Sequence, residues 1–83
     1  MTSSESSISW REVKYNEVFE QELRALKRRK EQDKTCTIKD LEGVLQHLYI
    51  MEGAEGLGEV QLLSTAAIIA AHEHFIAQWK QED

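Results

Sequence analysis

Apolar residues recur along this 83-residue chain with the spacing of three α-helices. The polar run MTSSESS, residues 1–7, has nothing to bury and reads as a disordered tail, which leaves residues 8–83 as a single helical domain. Ile8, Tyr15, Phe19, Leu23 and Leu26 fall in one narrow arc at roughly 100° per residue, with Val18 on its flank. That pattern predicts a long first helix, unbroken to about Lys34. Its start is signalled twice: Ser9 and Glu12 have the spacing of a capping box, and Ile8 with Val13 that of a hydrophobic staple. Trp10 and Val13 lie off the stripe, either as an end cap or as a second contact surface.

The segment KTCTIKDLEGVLQHLYIMEG repeats this grammar. Thr37 is the expected N-cap, with Asp40 closing a weaker box than glutamate would, and Cys36 with Leu41 is the matching staple. The shorter second helix begins near Ile38 and carries the stripe Ile38, Leu41, Val44, Leu45, Leu48 and Met51, with Tyr49 beside it. Gly53 has the place of a left-handed C-terminal cap. Gly43, inside the stripe, costs about 1 kcal/mol of helix propensity relative to alanine, and a close helix crossing would account for it. The glycine-rich GAEGLG, residues 53–58, is a turn with no phosphate-loop pattern.

A third helix is predicted from Gly58 or Glu59 to Lys80, and its apolar face moves around the axis. Val60, Leu62, Leu63, Ala66 and Ala67 share one side of the first half, whereas Ile68, Ile69, Phe75, Ile76 and Trp79 gather on the other side of the second half. A helix apolar on different sides at different heights meets different neighbours at those heights. The expected architecture is therefore an all-α three-helix bundle, with a long first helix, a shorter second and a central apolar third, completed by dimerisation. The interface is expected at Ile68, Ile69, His72, Phe75, Ile76 and Trp79. The competing arrangement is a monomer in which the first helix wraps that end of the third.

Composition narrows the class. With 41% hydrophobic and 30% charged residues, no proline and four glycines, the chain suits a helical protein. A single cysteine excludes an internal disulfide framework, no secretory signal is seen, and no apolar run comes near the roughly 20 residues that span a bilayer, so a cytoplasmic location without membrane contact is expected. The net charge of −5 is uneven: −3 over residues 1–23, +5 over 24–39 and −7 over 40–83. The basic patch Arg24, Lys27, Arg28, Arg29 and Lys30, in a run that continues to Lys34, sits where cations oppose the dipole of the first helix. As a functional surface it would hold an anionic partner. An acidic protein, including the acidic half of a second copy, fits it better than nucleic acid, because the third helix has Lys80 as its one basic residue and nothing resembles a recognition helix.

No motif carries catalytic chemistry. In AAIIAAHEHF, residues 66–75, His72 and His74 point about 160° apart and Glu73 in a third direction. Helical metal pairs use spacings of three or four, so HEH is not a chelating unit. His72 is expected at a subunit contact and His74 in solvent, with His47 on another helix. No catalytic residue, cofactor or metal ligand is assigned, and Glu52, Glu55 and Glu59 lack the pattern of a calcium loop. The expected role is a small non-enzymatic protein-interaction or regulatory module acting as a homo-oligomer. The alternatives are a nucleic-acid-associated protein using the basic end of the first helix, or a histidine metal protein.

Overall fold

The computed structural model describes residues 9–54 and 56–82, which form an all-α bundle of three helices: α1 (Trp10–Gln32), α2 (Ile38–Glu52) and α3 (Glu59–Glu82). The expected tail, the Ile8 half of the first staple, and Glu55 lie outside the described residues.

Side-chain caps set the helix starts. At α1, Ser9 Oγ accepts from the Glu12 N–H at 3.3 Å. The reciprocal bond is not among those of the described residues. At α2 the box is complete: Thr37 Oγ1 accepts from the Asp40 N–H at 3.2 Å, and Asp40 accepts from the Thr37 N–H at 3.1 Å. Cys36 and Leu41, the staple pair of that start, are both buried in one cluster.

The connection between α1 and α2 is pinned by Asp33. Its backbone N–H donates to the Arg29 carbonyl at 2.8 Å, and its carboxylate accepts from the Thr35 hydroxyl at 2.6 Å and the Thr35 N–H at 3.0 Å. Those two bonds, the hydroxyl first, hold the Asp33 carboxyl below its ordinary pKa. At the other end of α2, Gly53 is not the left-handed cap expected of it. It is right-handed, with φ −84°, and donates to the Tyr49 carbonyl, while Ala54 tightens the turn by donating to Met51. The reversal is deferred to Gly56, whose φ of 87° glycine adopts without steric cost.

Polar pairs between the helices mark their directions. Arg11 at the start of α1 bonds Glu59 at the start of α3, and Lys30 near the end of α1 bonds Glu82 at the end of α3, so these helices run parallel. Glu42 with Lys80 and Tyr49 with Glu73 make α2 antiparallel to α3. Continuing that register places the end of α2 level with about Ala70. Among the described residues α1 and α2 do not pack along each other, and α3 lies between them.

The core follows from this. Leu26, Cys36, Leu41, Phe75 and Ile76 form a buried cluster where α1 ends and α2 begins, with Leu23, Ile38, Leu45 and Trp79 packed around it. Ala67 and Ala71 are fully enclosed, on the helical row between Leu63 and His74, which meet α1. By length and composition α3 qualifies as a helix able to cross a bilayer, which corrects the expectation that no stretch here comes near one. That composition holds for an 18-residue stretch of the helix, a third of which is buried within the chain. In the fold, Ile69, Phe75 and Ile76 are buried within the chain.

Gly43 also departs from expectation. No helix crosses it, and a Cβ built there meets nothing within 4 Å. Gly43→Ala should therefore stabilise the protein by about 0.5–1 kcal/mol in urea unfolding, through helix propensity alone. A loss of stability would mean that α2 needs glycine at this point.

Tyr49 gives a pH signature. Its hydroxyl donates to Glu73, and that bond, followed by desolvation and the adjacent negative charge, raises the phenol above its ordinary 10.0. The fold thus favours the neutral phenol. The resulting stability is complete below about pH 10 and is lost as pH rises through the raised value. Tyr49→Phe should flatten this alkaline loss, measured as urea midpoints between about pH 8 and pH 11. An unchanged slope would exclude the bond as its source.

Candidate interaction surfaces

The six residues expected at a subunit interface lie on α3, but the chain covers most of them itself. Ile69, Phe75 and Ile76 are buried within the single chain, and so is His72, 3% exposed. Ile68 and Trp79 are half-buried. Enclosed side chains cannot also meet a partner, so this arc is internal packing. The shift of the apolar face around α3 is answered by α1 on one side and α2 on the other.

His72 shows how that packing accommodates a polar ring. Its Nδ1 lies 2.9 Å from the Ile68 carbonyl one turn earlier, where a protonated nitrogen donates to that oxygen. His74 is exposed, with its ring 6.0 Å from that of Phe19 on α1, and His47 is exposed on α2. Among the described residues no three His, Cys, Asp or Glu side chains are grouped to hold a metal. Cys36, free and buried, belongs to the hydrophobic cluster.

The basic patch is divided around the circumference of α1. Lys27 and Lys30, together with Lys34 just beyond the helix, line a cleft of about 380 Å³ whose other wall is Phe75, Trp79 and Glu82 of α3. Arg24 lines a different depression, together with Glu17 and Glu20. Arg28 and Arg29 are exposed and do not line the cleft. Within it the Lys30 ammonium lies 4.6 Å from the Trp79 ring centroid, a cation–π contact, and 2.6 Å from the Glu82 carboxylate. Phe75 meets Trp79 edge to face at 5.9 Å. The aromatic wall was not part of the expected patch, although Lys27, Lys30 and Lys34 have the i, i+3, i+7 spacing of one helical face.

Two apolar zones face solvent. The first turns of α1 and α3, brought together by Arg11 and Glu59, expose Trp10 at 53%, Val13, Val60 and Leu62. Trp10 is thus no end cap; the Arg11 guanidinium lies 5.7 Å from its ring. On α2, Val44, Met51 and especially Ile50, 70% exposed, remain uncovered because α3 covers the face that carries Ile38, Leu41 and Leu45. Comparison of the chain with family models, curated proteins and solved structures gives no match.

The burial of Phe75 yields a direct test. Phe75→Ala should lower stability by about 3–5 kcal/mol. Because the side chain is enclosed within one chain, the loss should not vary with protein concentration in urea titrations. A loss that shrinks as concentration rises would return Phe75 to a subunit interface.

Proposed function

We propose that this chain is a small protein-interaction module, without chemistry of its own, that acts as a homo-oligomer joined through the apolar end formed by the first turns of α1 and α3. The observation that carries this reading is the exposure of Trp10, Val13, Val60 and Leu62 at one end of a 9.6 kDa chain. Exposed apolar clusters of this kind, particularly with an aromatic anchor, mark surfaces that another protein covers. A small domain also has the most to gain from burying further surface in a second copy.

The geometry supports a self-complementary contact. Two parallel helices begin side by side, so a second copy rotated by a two-fold axis meets the same end with its own, Trp10 and Val13 of α1 lying about 60° apart while Val60 and Leu62 stand on opposite sides of α3. Arg11 and Glu59 at the edge of this zone supply a polar rim of both signs. The exposed Ile50 and Met51 on α2 remain available for a different partner.

Light scattering after size exclusion at neutral pH tests the proposal. A mass of two chains is expected, falling to one chain in Trp10→Ser with Val60→Glu. Helix content should be unchanged, because both side chains are exposed. A single-chain mass at every concentration would overturn the oligomer, and a dimer that survives the double variant would overturn this interface.

A further inference from the structure

We propose that the cleft between the C-terminal halves of α1 and α3 docks an acidic peptide segment of a partner protein, one that carries an apolar side chain beside its carboxylates. This rests on the reading of the chain as a protein-interaction module but not on its self-association.

The cleft pairs two kinds of recognition. The half-buried Trp79, backed by the buried Phe75, gives an apolar wall, and three lysines stand opposite. Lys30 is held in place twice, by the Trp79 ring and by the Glu82 carboxylate. Glu82 occupies the last turn of α3 and is largely exposed, so the chain places its own carboxylate at the cleft rim as an incoming acidic side chain would be placed. Lys27 and Lys34, on either side of Lys30, have no carboxylate within ion-pair distance among the described residues. These two ammonium groups are free to take carboxylates while an apolar side chain covers Trp79.

Charge selects the class of partner. Glu31 and Glu82 share the cleft with the three lysines, leaving a small positive excess in a chain of net charge −5. A nucleic-acid backbone, with a charge at every residue, meets repulsion from most of this surface. A short acidic peptide meets chiefly the local lysines, because exposed charges beyond about 8 Å are screened at physiological ionic strength.

The test uses the full chain as Trp10→Phe, so that Trp79 is the one fluorescent tryptophan. The probe is a blocked peptide, Glu-Asp-Glu-Leu-Phe-Asp-Glu. Saturable change in Trp79 emission is expected, weakened by salt and by roughly tenfold or more in Lys27→Glu with Lys34→Glu. Glu82→Gln should tighten binding, since it removes the competing carboxylate while circular dichroism reports the fold intact. Equal affinity for the all-amide peptide, or weaker binding in Glu82→Gln, would overturn the proposal. Displacement by a single-stranded oligonucleotide at lower concentration than the peptide would reassign the cleft to nucleic acid. Because Trp10 belongs to the proposed dimer contact, light scattering on the unsubstituted chain separates this outcome from the oligomer question: loss of peptide binding with a dimeric unsubstituted chain overturns the cleft alone, and peptide binding with a monomeric one overturns the dimer alone.

Discussion

The fold depends on one helix being covered from two sides by helices that do not support each other. Seven buried residues belong to α3, against one within α1 and one within α2, so the outer helices are held by α3 and hardly by anything else. Two alanines, Ala67 and Ala71, are fully enclosed on the side of α1. Their small side chains let the helices approach closely, and the gain comes from dense packing over a narrow strip. The larger side chains, Phe75, Ile76, Leu26 and Leu41, concentrate at the end where the Asp33 turn brings α1 and α2 together.

This arrangement explains why the surface is so uneven. A central helix flanked on two sides has two further sides, and the flanking helices each have outer edges. Among the described residues there is no fourth element to close them. Apolar side chains therefore remain in solvent at the first turns of α1 and α3 and along α2, while cations collect where α1 meets the end of α3. Both kinds of surface arise from the same shortage of covering elements.

The helices were legible because their signals are local. Ser9, Thr37 and Asp40 cap through bonds spanning three residues, and such bonds depend little on tertiary context. The moving apolar face of α3 was legible too, as was its need for two neighbours. What periodicity does not contain is who those neighbours are. His72, Phe75 and Ile76 look the same on a helical wheel whether α1 and α2 or a second chain encloses them. The handedness of Gly53 was equally out of reach, since with Gly56 and Gly58 close behind, any of the three satisfies the need for a turn. The cleft was half visible: its lysines share a spacing, but the Trp79 wall arrives from a helix some fifty residues away, through a parallel pairing that no local pattern announces.

That parallel pairing bears on how the chain assembles. The pairs that tie α1 to α3 join residues 48 and 52 positions apart, so α1 is completed by an element made well after it. Helical proteins usually fold fast because their contacts are short in sequence, and contact order rises when they are not. During synthesis α1 leaves the ribosome with its Tyr15, Phe19, Leu23 and Leu26 stripe uncovered and keeps it so until α3 follows. Cooperativity is therefore spread from α1 to α3, and losing the last turns of α3 takes away the packing that covers the end of α1.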